Sequence, residues 1–272
     1  MTLSPDMHQP VPLRGDPAVP SAPRILDFIR GGADHFEVDR AVVRPLLEME
    51  PRLSEAVIDD RHFASRVTEY WARHLGIDQI VSLNYSLPAS TEVHHLALAA
   101  NPRSRVVYAT ADPAVNLQAS GLLVGKPRVA FVDGDARTPE KIRNDPETVK
   151  LIDFERPVGL LFISNLSYVP DRDDPHAAVE YFFNEAAPGS CIAISNVTSE
   201  GMDPQLVARI EEAYAGIPDR FHFRSREEIL GLFGRWELQA PGLQHACDWS
   251  VEEHRPPTQR VMHVWAGMAR KR

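Results

Sequence analysis

Apolar positions along the chain follow two regimes. Up to Gly76 they recur at three- and four-residue spacing, the period of a helix with one buried face. Ile25, Phe28 and Ile29 mark a first helix that Gly31-Gly32 breaks. Phe36, Val38, Val42, Val43, Leu46 and Leu47 mark a second. Leu53, Val57, Phe63, Val67, Tyr70 and Trp71 line a third, which Gly76 can cap. Beyond Gly76, short apolar runs alternate with amphipathic stretches. Strands are predicted over 79–83, 105–110, 129–132, 158–164, 190–197, 236–238 and 262–268. Helices are predicted over 91–100, 114–123, 174–187, 203–214 and 225–233. Such alternation implies an α/β fold: a seven-stranded, mostly parallel sheet with helices on both faces. A ligand of such a sheet belongs at the carboxyl ends of its strands, near the point where strand order reverses. The loops over 84–90, 110–114, 133–138 and 165–171 therefore carry the candidate chemistry.

Composition adds boundaries and exclusions. Pro5, Pro10, Pro12, Pro17, Pro20 and Pro23 crowd the first 23 residues, where missing amides and fixed φ predict a disordered tail. The chain divides into this tail (1–23), an N-terminal helical lid (24–76) and an α/β domain (77–272). Its 272 residues suffice for a core without disulfide staples, and the two cysteines, Cys191 and Cys247, suit a reducing compartment. No apolar run reaches the ~18 residues of a membrane span, and no secretory signal opens the chain. The expectation is a cytoplasmic protein that does not engage a membrane. A net charge of −9 without a basic cluster argues against nucleic acid as a partner. No G-x-S-x-G, P-loop or G-x-G-x-x-G motif is present, so hydrolase, NTPase and dinucleotide readings lack support.

Four stretches carry a family resemblance. They are Pro23-Arg24-Ile25-Leu26-Asp27-Phe28-Ile29-Arg30-Gly31-Gly32-Ala33-Asp34-His35-Phe36 with Asp39-Arg40, then Leu87-Pro88, then Leu160 to Ile163 leading to Val169-Pro170-Asp171, and finally Trp265 to Lys271. In these the chain resembles the actinobacterial S-adenosylmethionine-dependent methyltransferase family once described as a domain of unknown function. The resemblance runs from about Ser21 to Arg272. It implies a class I methyltransferase-like, Rossmann-like sheet under an N-terminal helical lid, S-adenosylmethionine as cofactor and a small-molecule acceptor, with a role in bacterial secondary metabolism.

The same resemblance identifies where this chain departs from the family's cofactor motifs. Ser82-Leu83-Asn84-Tyr85-Ser86-Leu87-Pro88-Ala89 stands where the family reads like D-I-G-T-G-L-P-T, so an acid and two glycines are replaced. Glycine serves such turns because a residue without Cβ lets backbone and ligand approach. Thr110 replaces the acid expected to meet the ribose, a charge-assisted contact worth roughly 1.5–3 kcal/mol, or ~10–100-fold in affinity. Asp112 is retained one step further on, and Asp135 fills the position expected near the adenine. Ser167 replaces a histidine. The resemblance thus assigns Ser82, Asn84, Ser86, Thr110, Asp112, Asp135, Gly31 and Gly32 to the cofactor and places Tyr168 or Asp34 near the acceptor.

Two functions stand open at this point. One is a divergent methyltransferase with degenerate donor motifs. The other is a protein that has lost the donor and serves as a cofactor-independent cyclase or isomerase, or as a non-catalytic partner. No metal site is expected. His94 and His95 are adjacent on a helix and are expected to point apart, and His245, Cys247, Asp248, His254 and His263 match no zinc spacing.

Overall fold

The computed structural model describes residues 16–83, 93–113, 115, 117, 125–217, 220–251 and 256–272. Three helices open this part of the chain: α1 (Ala22–Ile29), α2 (Glu37–Met49) and α3 (Leu53–Tyr70). α3 runs on through one wider turn, Trp71–Leu75, and stops at Gly76, whose φ of 65° lies in the left-handed region.

The parallel strands follow: β1 (Gln79–Ser82), β2 (Arg105–Thr110), β3 (Val129–Asp133), β4 (Gly159–Ile163) and β5 (Cys191–Thr198). The helices described between them are α4 (Val93–Ala100), α5 (Pro139–Asn144), α6 (Pro146–Leu151) and α7 (Pro175–Glu185), and the helix expected over 114–123 falls almost wholly outside the described residues. After β5 come α8 (Pro204–Tyr214) and α9 (Arg226–Gly231). They are followed by β6 (Glu237–Leu238), β7 (Gln244–His245) and the long β8 (His263–Arg270). Among the described residues the sheet has eight strands in the order β3-β2-β1-β4-β5-β8-β6, with β7 on β8. The seven expected strands are present; the eighth is the two-residue β7, too short to leave a periodic signal. β8 lies antiparallel to β5, pairing Ser195 with Ala266, so the sheet is parallel on one side and antiparallel at the other.

Strand alternation divides the core into two layers. Val81, Val107, Leu160, Phe162, Ile192 and Ile194 face α5, α6, α7 and α9. Ile80, Val106, Tyr108, Leu161 and Ile163 face the other way, onto Phe63, Val67 and Trp71 at the end of α3 and Val93 and Ala97 of α4. Gly159 leaves room for this layer: a Cβ there would lie 2.5 Å from Cε3 of Trp71. α3 is therefore a layer on the sheet, whereas α1 and α2 pack outward onto α8 through Ile25, Val43, Leu46, Leu206 and Ile210.

Candidate functional site

The order β2-β1-β4 places the reversal point between β1 and β4, where connections leave to opposite faces. Ser82 ends β1 and pairs in register with Tyr108 and Leu161. It is fully buried, and among the described residues its Oγ has no hydrogen-bond partner. β4 ends in Ser164, held at φ 49°, an uncommon conformation for a side-chain-bearing residue and typical of functional turns. The short 3-10 turn that follows, Asn165–Tyr168, buries Asn165 and Ser167, whose Oδ1 and Oγ also lack partners. Arg224 fixes this turn from outside. Its guanidinium donates to the carbonyls of Leu166 and Val169, both at 2.6 Å, and to Asp171 at 3.0 Å. Sequence reasoning missed Arg224, which lies far along the chain in no motif.

The ends of β2 and β3 are built differently. Thr110 is buried; its Oγ1 accepts from the amide of Asp112 at 3.3 Å and its carbonyl from that of Gly134 at 3.2 Å. Asp135 receives Arg137, through the main-chain amide at 2.9 Å and through the guanidinium. Asp133 is exposed and pairs with Lys141 at 2.5 Å.

Asp112 belongs to a buried charge cluster that joins α1 and α2 to β2. Arg24, Asp39 and Asp112 are 1%, 0% and 6% exposed. Arg24 Nε donates to Asp39 at 2.8 Å and Nη1 to Asp112 at 3.4 Å, while Nη2 reaches the carbonyl of Val19 at 2.5 Å. Ser21 adds its hydroxyl to Asp112 and its amide to Asp39 at 2.9 Å. Asp39 also caps α2 through the amide of Phe36 at 2.8 Å.

Gly31 and Gly32 are both exposed in the turn after α1. Gly32 is required there: a Cβ would lie 2.0 Å from Oδ1 of Asp27. Asp27 organises this turn, its carbonyl accepting from the amide of Gly32 at 2.9 Å and its carboxylate from that of Asp34 at 2.7 Å. Asp34, half-buried, lies in the same turn. Asn84 and Ser86 fall outside the described residues.

Beneath α1 and α2 lies an apolar cavity of about 70 Å³. Its walls come from Leu26 and Ile29 (α1), Leu46 (α2), Val57 (α3), Val197 (β5), Ile210 (α8) and Val264 (β8). Tyr168 lines it, buried, with Phe221 packed edge-on at 5.9 Å. Arg30, Asp60, Ser164 and Tyr214 supply its other polar groups. Asp60 is only 5% exposed. Burial raises its pKa above the ordinary carboxylate range, against the hydroxyls of Ser195 and Ser164 and the charge of Arg30. Burial likewise raises that of Tyr214. Asp60 was also missed from the sequence. Its signal was present, an acid on the apolar stripe of α3, three residues from both Val57 and Phe63.

The remaining candidates lie elsewhere. The rings of His94 and His95 do not point apart; their centroids are 4.0 Å from each other. His94 is buried against the hydroxyl of Tyr108 at 3.0 Å, and burial lowers its pKa to about 4. His245 sits 4.0 Å from both His263 and Trp265, and burial lowers its pKa too. His254 is outside the described residues. Among the described residues no group of three His, Cys, Asp or Glu is arranged to hold a metal. Burial raises the thiol of Cys191 to about 12 and that of Cys247 to about 11. No described helix is long and apolar enough to cross a membrane.

Comparison with known proteins matches this architecture. Two crystal structures are similar throughout. One is of a candidate methyltransferase from Thermobifida fusca: 30% identity over 94% of this chain and 97% of that one, TM-score 0.86. The other is of a DUF574 family protein from Streptomyces avermitilis: 30% identity over 95% and 100%, TM-score 0.87. No curated protein matches. A family model described as S-adenosyl methyltransferase matches residues 10–272. With nearly its whole length matched, the chain belongs to the S-adenosyl methyltransferase family.

Proposed function

We propose that this protein is an S-adenosylmethionine-dependent methyltransferase acting on a small molecule, with α1 and α2 as its lid. The observation that carries the reading is the group of buried, unpartnered polar atoms at the reversal point: Ser82 Oγ, Asn165 Oδ1 and Ser167 Oγ. Buried polar groups are normally hydrogen-bonded, so a row of exceptions at the ligand edge of this sheet fits a polar ligand that completes them. Ser82 and Thr110 would meet the donor's methionine and ribose portions, and Asp135 its adenine. When bound, the donor supplies an electrophilic methyl group. The protein's own part is to hold the acceptor in line with it and to exclude water. The apolar cavity beside the reversal point supports a small acceptor, and a place in secondary metabolism follows from the family resemblance. Two free cysteines suit a reducing cytoplasm.

A second reading has its own support. Thr110 stands in place of an acid, and both retained acids, Asp112 and Asp135, already carry an arginine. These features favour a protein that has lost the donor and uses the fold as a cofactor-independent cyclase, isomerase or partner protein. Calorimetric titration with S-adenosylmethionine and S-adenosylhomocysteine separates the two. Micromolar binding supports methyl transfer; no heat at millimolar ligand overturns it. The triple variant N84G/S86G/T110D is expected to bind the donor at least tenfold more tightly than the native chain. No gain would mean that these positions do not set donor affinity.

A further inference from the structure

The cavity under α1 and α2 is apolar almost everywhere, and the exception is placed where it is most costly. Asp60 lies on the buried stripe of α3, between Val57 and Phe63. Ser195 and Ser164 act on its carboxylate in favour of the charged form. Its Oδ1 is buried and has no hydrogen-bond partner among the described residues. A buried acceptor left unmatched costs about 1–3 kcal/mol, so a purely structural role is a poor account of it. Other groups at this carboxylate are Arg30 at the end of α1 and Asp59 on α3 itself. Tyr168 and Tyr214 line the same cavity.

We propose that this cavity binds a small apolar molecule bearing one hydroxyl, a phenol or an alcohol, and that Asp60 Oδ1 accepts the hydrogen bond of that hydroxyl. The assignment deepens the methyl-transfer reading and rests on it for one point, that the molecule bound here is the acceptor. The walls from Leu26, Ile29, Val57, Val197, Ile210 and Val264 take the apolar body. The volume of about 70 Å³ is smaller than the ~150 Å³ of a cavity that holds benzene. A ring therefore enters by displacing lid side chains such as Leu26 and Leu47.

The test compares p-cresol with toluene, two ligands of similar shape that differ by the hydroxyl, by calorimetry on the full chain without donor. An apolar cavity lacking an acceptor favours toluene, because desolvating a hydroxyl without a partner costs ~1–3 kcal/mol. The expected result is p-cresol bound about tenfold more tightly than toluene, since hydrogen bonds to charged groups are worth ~1.5–3 kcal/mol. D60L is expected to reverse the order of the two affinities. D60N, with a weaker neutral acceptor, falls between and serves if D60L does not fold. Equal affinities, a preference for toluene, or binding of neither ligand by the native chain overturns the proposal. So does a preference for p-cresol that survives D60L. Titration of S-adenosylmethionine is a separate arm. A p-cresol preference without donor binding upholds the cavity and removes methyl transfer, whereas donor binding without the preference does the opposite.

Discussion

Removing the charge of Asp60 is expected to stabilise the protein, because the native carboxylate is buried with one oxygen unmatched. D60N should melt a few degrees higher, since ~1 kcal/mol shifts a chain of this size by about 2–4 °C. The pH dependence follows from linkage. The folded-state pKa of Asp60 is raised above its unfolded value, so its contribution is fully present below the ordinary carboxylate pKa and is lost as pH rises through the raised one. Denaturant titrations at pH 5 and pH 8 should therefore show a larger gain from D60N at the higher pH. A gain independent of pH would contradict this account. The two thiols give a second expectation. With pKa values pushed up by burial, neither Cys191 nor Cys247 should react with iodoacetamide at pH 7.5 until the protein is unfolded, as read by intact mass. Asp60 also marks the limit of what the sequence made legible. The stripe of α3 was plain from its spacing, but periodicity reports which face is buried and not what the opposite wall supplies. The wall opposite α3 includes Ile163, Val197, Ile210 and Val264, all more than a hundred positions from Asp60.

The charge cluster of Arg24, Asp39 and Asp112 is what holds α1 and α2 to the sheet. Breaking a buried pair by removing one partner costs about 3–5 kcal/mol. R24A is expected to lower stability by that order and to raise hydrogen exchange in α1 and α2 before β4 and β5. Uniform exchange across the molecule would mean that the cluster does not act as the local tether. G159A tests the opposite layer. Its new methyl meets the ring of Trp71, so a loss of ~1–3 kcal/mol in chemical unfolding is expected, with ligand affinity unchanged. The elements themselves were largely legible. Periodicity located α1, α2 and α3 and their end at Gly76, and short apolar runs located each parallel strand. β7 was invisible because two residues have no period. The clustering of Arg24, Asp39 and Asp112 was invisible for another reason: charged positions in a motif read as ligand contacts until tertiary structure shows them facing one another.

Across the whole molecule, family membership was readable because its motifs sit at positions that shape the frame. Asp27 organises the Gly31-Gly32 turn, and Arg24, Asp39 and Asp112 fix the helices above the sheet. The resemblance implies that those positions persist in this chain while Thr110 and Ser167 replace family residues. T110D places a second carboxylate beside buried Asp112, so T110D alone is expected to lower the melting temperature by several degrees in a thermal scan without donor. The cavity has a further consequence at this scale. Its walls are drawn from α1, α2, α3, the end of β4, β5, α8 and β8, so no one of these elements forms it and it exists only once all have docked. A molecule that occupies it is therefore selective for the completed native state and should act as a folding ligand. At a hundredfold excess over its dissociation constant it would add about 2.7 kcal/mol to global stability. Such a compound would slow the unfolding of both layers together and raise the yield of folded protein in a cell before any chemistry is asked of it.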